Sequence, residues 1–233
     1  MTRPTLKIDV HLHTCVSKDA SLHPAAVIKK AKQRGLDRIC ITDHNTITGA
    51  LAAQALDPTF VIVGEEILTA DRTEILAFFV REWVPPGLPV DEILDRLEAQ
   101  GAVISVSHPF DRHRNQAWSE TELARIAPRL DAIEGFNARA IHGEDNDKAR
   151  DFAAAHHLPL TAGSDAHIGF EIGAAYLEMP FFSTAAEFRA GLAQAQIRGH
   201  LSPAWTHLCS RLNVMRTKLG LKPTVNPVSE VHR

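Results

Sequence analysis

The chain holds little cysteine and no long apolar run. Cys15, Cys40 and Cys209 are the three thiols among 233 residues. They are odd in number, widely spaced and form no CxxC, which argues against a disulfide framework and a thiolate zinc site. Cys15 lies near several histidines and is read as a small buried residue. Nowhere do about 18 apolar residues run together, as a membrane span requires, and the opening MTRPTLKIDV lacks the apolar core of a signal peptide. No membrane association and a cytoplasmic location are therefore expected. Runs of Lys or Arg are also missing, and the formal net charge is -3. No phosphate-backbone footprint is visible, so no stable nucleic-acid partner is expected, although a local site could still take a small anion.

What remains suits one large α/β domain: 45% of the residues are hydrophobic and 23% charged, enough for a sizeable core. Short β-rich runs at 6–12, 38–42, 60–64, 75–80, 102–107, 132–136, 159–163 and 174–179 alternate with helical patterns. In PAAVIKKAKQRG, Pro24 marks a start and Gly35 a stop. In VDEILDRLEAQG, Val90, Ile93, Leu94 and Leu97 fall at helical spacing before Gly101. Ser119–Glu122 and Thr184–Glu187 are capping boxes. The alternation predicts parallel strands and a barrel-like α/β fold. The barrel domain is expected over 1–200. Beyond it, over 201–233, an amphipathic helix in WTHLCSRLNVMRTKLGLK, packed on the body or on a partner, precedes a proline-containing tail.

Histidine is the surplus, at 13 residues. In KIDVHLHT strand alternation predicts Asp9, His11 and His13 on one face, and Ile8, Val10 and Leu12 on the other. Further imidazoles and carboxylates follow β-like runs: Asp43 and His44, Glu66, His108, Glu134 within its strand, then Asp165 and His167. In an α/β barrel the C-terminal strand ends share one rim, so residues scattered along the chain converge there. Imidazole with carboxylate and no thiolate suits zinc, manganese or iron.

Taken together, DVHLHT, ITDHN, SHPF and GSDAH resemble the four ordered motifs of the PHP (polymerase and histidinol phosphatase) family of metal-dependent phosphoesterases, over about residues 6–200. The resemblance implies a distorted (β/α)7 barrel, TIM-barrel-like, with a C-terminal helical extension, and three divalent ions at the rim. It places His11, His13, Glu66 and Asp165 on the first ion. Glu66 bridges to the second, with His108 and Glu134, and Asp19, His44 and His167 hold the third. Asp9 and Asp43 are assigned to orienting ligand imidazoles, Glu65 to the opposite face of its strand, and Glu74, at a place where several members carry a histidine, to surface charge with ligation as the alternative. Of the cations near the motifs, Lys18, Arg112, Arg114 and Arg139, the two arginines Arg112 and Arg139 are favoured as a phosphate clamp. His167 or an arginine is given the departing oxygen.

The reaction expected is hydrolysis of a small phosphate monoester or diester, by a metal-bridging hydroxide, with phosphate as product. Two other classes stay open. Amidohydrolases also begin with His-x-His on a barrel strand, but no Lys for carbamylation stands on a middle strand here. A non-catalytic metal-binding module would tolerate lost ligands, whereas almost every position is filled.

Overall fold

The computed structural model describes residues 5–114, 117–223 and 225; residues 226–233 of the tail lie outside the described residues. Seven strands form one curled sheet. At its centre β1 (Thr5–Leu12), β2 (Arg38–Ile41) and β3 (Val61–Leu68) run parallel. Crossovers through α1 (Pro24–Gln33) and α2 (Thr48–Leu56) connect them. The remaining strands correct the all-parallel expectation. Only residues 69–73 separate β3 from β4 (Glu74–Phe78), too few for a crossover helix, so β4 turns back antiparallel. Through α3 (Val90–Ala99) the chain reaches β5 (Val103–Val106), antiparallel to β4 and so codirectional with β3. Past α4 (Glu120–Ile126), β6 (Ile133–Asn137), α5 (Gly143–Ala155) and β7 (Leu160–Gly163) make a separate parallel pair. β8 (Ala175–Pro180) returns antiparallel to β1; α6 (Ala185–Leu192) leads to β9 (Gln196–Gly199), a strand not foreseen in the sequence, and α7 (Trp205–Lys218) follows. The ladder is thus a seven-stranded sheet and a two-stranded one rather than a continuous parallel ring.

Helix ends follow local chemistry. Gly35 and Gly101 take the left-handed φ of +75° and +71° that stops α1 and α3. Ser119 and Thr184 each accept the amide of the residue three places on, at 3.2 Å.

Apolar residues sort onto two sides of the sheet. Ile39, Ile41, Val61, Val63, Ile75, Ala77 and Ile104 pack with the helices, among them Val27, Ile93 and Leu94. Cys40, Ile62, Leu76, Phe78 and Val103 form the inner side with Phe182 and Phe188. Strand β1 breaks this order. Ile8 and Val10 belong to the inner cluster, but Leu12 packs with the helix-facing one. The cause is in the pairing: Asp9 stands opposite Ile39 while Leu12 stands opposite Ile41, so β1 carries one extra residue between them. This β-bulge overturns the simple alternation, because an inserted residue flips the faces beyond it.

β3 shows normal alternation and its cost. Glu66 turns inward, whereas Glu65 faces the loop after β4, fully buried, where its Oε2 accepts the Val84 amide at 3.1 Å. Burial lifts the Glu65 carboxyl to about 8, against the hydrogen bond from the Val84 amide. A folded-state value above the ordinary 4.5 means that this group favours the native state fully below pH 4.5 and loses that contribution as pH rises through 8. Glu65→Gln is expected to match the wild type at pH 5 and to exceed it at pH 9 by on the order of 2 kcal/mol in urea unfolding. Parallel pH profiles for the two proteins would contradict this account.

Candidate metal centre

Four codirectional strands and one reversed strand deliver their polar residues to the same rim. His11 and His13 end β1, His44 follows β2, Glu66 lies in the last half of β3, and His108 follows β5. Glu74 joins them from the first residue of β4, which lies opposite Leu68 because that strand runs the other way. On the other flank, β7 is fastened to the bulged end of β1: Asp165 N–H donates to the His11 carbonyl at 2.6 Å and His13 N–H to the Ala166 carbonyl at 2.9 Å. The approach is so close that a Cβ on Gly163 would lie 2.3 Å from the His11 Cβ. Asp165 and His108 both adopt positive φ, +52° and +27°, conformations that non-glycine residues keep only where the surroundings enforce them.

Glu66 is the hub. Its Oε1 lies 3.4 Å from His11 Nε2 and 3.0 Å from His108 Nε2, and its Oε2 is 3.6 Å from His13 Nε2 and 2.9 Å from His44 Nδ1. Asp165 Oδ1 stands 3.2 Å from His13 Nε2 and 3.6 Å from His11 Nε2. Asp19 Oδ2 reaches His44 Nε2 at 3.5 Å and His167 Nε2 at 3.3 Å. Glu74 lies 3.6 Å from His108 and 3.8 Å from His44. Donors about 3–3.5 Å apart are spaced as ligands around a common ion about 2.0–2.2 Å from each.

The donor set fits metal ions. His11 Nε2, His13 Nε2, Glu66 Oε2, Asp165 Oδ1 and Asp19 Oδ1 are buried without a hydrogen-bond partner, which is costly unless a cation takes their lone pairs. The tautomers agree. His11 Nδ1 faces Glu134 Oε1 at 2.9 Å and His167 Nδ1 faces the Asp165 carbonyl at 2.7 Å, so each ring places its proton away from the cluster and leaves Nε2 free. Four groups of three side chains could hold an ion: His11, His13 and Asp165; His11, Glu66 and His108; His13, His44 and His167; His44, Glu66 and Glu74.

Electrostatics match this crowding. Burial pushes the His11 and His44 imidazoles down, but the carboxylates beside them, Glu134, Glu66 and Asp165 for His11 and Asp19 and Glu66 for His44, outweigh it and hold both well above the usual value. His13 is pushed down to about 3 by burial and by its neighbours His167 and His44. Burial would raise Asp165 and Glu66, yet Arg114 and His11 for the one, and His11 and His44 for the other, keep both low. Burial and the adjacent Glu66 raise Glu74.

Several expected places are corrected. Glu134, read as a ligand of a second ion, stands behind His11, with Oε2 taken by the His108 amide at 2.7 Å and by Asn137 Nδ2 at 2.9 Å. It sits near the start of β6, below the rim. Glu74, read as surface charge, is 5% exposed and inside the cluster. Asp9 and Asp43 touch no ring. Asp9 accepts the amides of Ser164 at 2.9 Å and Gly173 at 3.1 Å, tying β1 to the segment around β7. Asp43 accepts from Thr14 N–H at 2.8 Å and Ser17 Oγ at 2.6 Å; the same hydroxyl lies 3.4 Å from His13 Nδ1. Ser17 therefore carries the link from carboxylate to imidazole that was assigned to Asp43 directly.

The cations also sort differently. Arg112 points outward, its side chain 68% exposed and 4.0 Å from Asp145. Arg114 enters the site instead, contacting Asp165 Oδ2 and lying 2.9 Å from His108 Nε2. Arg139 is 4% exposed and donates to both Glu171 oxygens, at 2.8 and 3.0 Å, and to Ser210 at 3.0 Å, while its Nε has no partner. A cavity of about 410 Å³ is lined by Asp19, His44 and His167 together with Lys18, Arg114, Arg139 and His207. His207 comes from α7, outside the expected barrel, and nothing in the four motifs pointed to it.

Comparison with known proteins decides the family. The model for the PHP domain matches residues 9–57 and that for a PHP-associated region matches 143–197. An uncharacterized protein of Methanocaldococcus jannaschii is 35% identical over 178 residues, 74% of this chain and 70% of the relative. The chain belongs to the PHP family. Among solved structures, PsfC from Pseudomonas syringae covers 94% of this chain and 100% of its own at 19% identity, with a TM-score of 0.64. The lesion-specific endonuclease PfuEndoQ from Pyrococcus furiosus covers 97% of this chain and 74% of its own at 14% identity, TM-score 0.61. These likenesses show the fold. As a PHP protein the chain is of the metal-dependent hydrolase type, and the two ends of its motif series, the β1 histidines and the Asp165–His167 turn, meet where Asp165 Oδ1 faces His13 and His11. No helix among its described residues is long and apolar enough to cross a membrane.

Proposed function

We propose that this PHP protein hydrolyses a small phosphate monoester or diester at a trinuclear centre. The observation that carries the reading is one cavity lined both by Asp19, His44, Glu74 and His167 of the imidazole–carboxylate cluster and by the cations Lys18, Arg114 and Arg139. His11, His13, Glu66 and Asp165 would hold the first ion; Glu66 and His108, with Glu74 in the place first given to Glu134, the second; Asp19, His44 and His167 the third. The mixture of nitrogen and oxygen donors suits zinc, manganese or iron. Bound ions would supply Lewis acidity and a water made acidic enough to attack near neutral pH.

The chain's own groups do the rest. Arg114 and Arg139 bring positive charge to the phosphoryl oxygens, and Glu171, bonded to Arg139 and to the His167 and Ile168 amides, fixes Arg139 against the turn carrying His167. An imidazole ligating through Nε2 while its Nδ1–H is given to a carbonyl has no proton for the leaving group. That argues for Arg114, beside Asp165, as the group that stabilises charge on the departing oxygen. Glu134 and Ser17 hold the His11 and His13 rings in aim.

The test is a substrate panel on protein loaded in turn with zinc, manganese and iron. Release of p-nitrophenol from p-nitrophenyl phosphate or its bis-ester is expected, with no cleavage of p-nitroanilides. Turnover confined to the amides would assign the amidohydrolase reading instead; metal binding with no turnover on any ester would assign a binding module.

A further inference from the structure

α7 lies inside out for a surface helix. The side laid on the molecule is polar: Thr206, Ser210 and Asn213 are buried. Ser210 accepts from Arg139, Asn213 Nδ2 donates to the Asp19 carbonyl at 3.1 Å, and Thr217 Oγ1 donates to the Lys18 carbonyl at 2.6 Å. The side given to solvent is apolar. Trp205, Leu208, Leu212, Met215 and Leu219 are 49, 58, 49, 58 and 69% exposed.

Those five recur at intervals of 3, 4, 3 and 4 residues, the a/d spacing with which one helix interlocks with another. The buried Thr206, Ser210, Asn213 and the bonded Thr217 take the b and f positions opposite. The seam has no polar residue. It leaves on the order of 600 Å² of apolar surface open, and roughly 800 Å² with Leu221 and the adjoining Phe170, the contribution of one partner to a standard interface and more than a lone protein ordinarily exposes.

We propose that the outer face of α7 is the contact between two copies of this chain, paired antiparallel about a two-fold axis. An interlocking seam needs a partner helix of the same period, and a two-fold operation brings one of identical composition. Charge sets the orientation. α7 has no Asp or Glu, and Arg216 and Lys218 sit in its last turn. A parallel pair would stack these bases together; an antiparallel pair puts them at opposite ends. With Arg211 also flanking the seam, attraction must come from apolar burial against a weak like-charge repulsion, so this association should tighten when salt screens it. An acidic partner or an anionic membrane would show the opposite salt response.

Sedimentation velocity of the full chain, at about 1–50 µM and in about 0.1 and 0.5 M NaCl, tests this directly. The expected result is a species of twice 25.6 kDa whose dissociation constant is unchanged or lower at the higher salt. The double variant L212E/M215E should be monomeric throughout, its affinity down at least about 100-fold, with far-UV circular dichroism and metal content unchanged. Leu51→Glu, at an exposed apolar position on α2, should remain dimeric. If the double variant misfolds, Leu212→Gln replaces it, with a weakening of about tenfold expected. A monomeric wild type at the highest concentration, a dimer that survives the double variant or keeps its wild-type affinity in Leu212→Gln, or one that loosens tenfold with salt would overturn the proposal. So would flotation of monomeric wild type with phosphatidylglycerol vesicles, which would assign the face to a membrane.

Discussion

Asp165→Asn is expected to lower kcat/KM on p-nitrophenyl phosphate by about 10³-fold or more, a loss of roughly 4 kcal/mol in transition-state stabilisation. The reasoning starts from the backbone. Asp165 is pinned by its amide to the His11 carbonyl, so the side chain of the variant stays in place while its charge disappears. The negative charge beside His13 Nε2, His11 Nε2 and Arg114 is lost, and the single amide oxygen that remains can face either the imidazoles, where the first ion would sit, or Arg114 and Asn137, with an NH2 group turned to the other side. Metal content measured by elemental analysis should drop by one ion per chain, with secondary structure retained. Wild-type turnover with full metal content in this variant would remove Asp165 from the centre.

Stripping the metal should cost stability as well as activity. A ligand at about 1,000 times its Kd contributes roughly 4 kcal/mol to a fold that binds it only in the native state, and in a chain of this size that corresponds to a Tm lower by about 10 °C after chelation. The gap should widen with pH. In the metal-free protein His11 and His44 are held well above 6.5, so their contribution is complete below that value and is lost as pH rises beyond it. His13, pushed down to about 3, opposes this in part, because its unfolded-state imidazole is still largely protonated at pH 6 and becomes neutral by pH 8; two raised groups against one lowered group leave the net loss with rising pH. Metal binding runs the other way, since it needs deprotonated imidazoles and gains as pH rises. Scanning calorimetry of chelated and reloaded protein at pH 6 and pH 8 would show this; equal Tm values for the two forms would count against a centre that binds metal in the native state.

How far the site could be read from the chain depends on the residue. His11, His13, His44, Glu66, His108, Asp165 and His167 were legible because each follows or closes a β-like run, and the structure brings them together. Glu74 was legible only as an alternative, from the place it takes in the family pattern, because it opens its strand rather than closing one. β4 is reversed, so its first residue arrives on the rim where its neighbours end. Arg112 and Arg114 are two residues apart in one loop, and no local pattern says which enters the cavity. Ser17 and Glu171 act only through contacts with segments far along the chain. α7 read as amphipathic, but which of its faces turned inward depended on polar groups offered by the loop at 15–19.

The sequence by itself determined the chemistry: hard and borderline donors without thiolate, placed at strand ends, in the order of the PHP motifs. Residue types and the ends of elements are local properties, and a local reading recovers them. Only the tertiary structure decided the aim of those donors. Alternation put Asp9 on the same face as His11 and His13, yet one extra residue in β1, fixed by pairing with β2, separates them. Asp9 is left to staple strands while His11 and His13 face Glu66. Register is a relation between two strands about 30 residues apart, and a period-2 pattern in one of them carries no record of it.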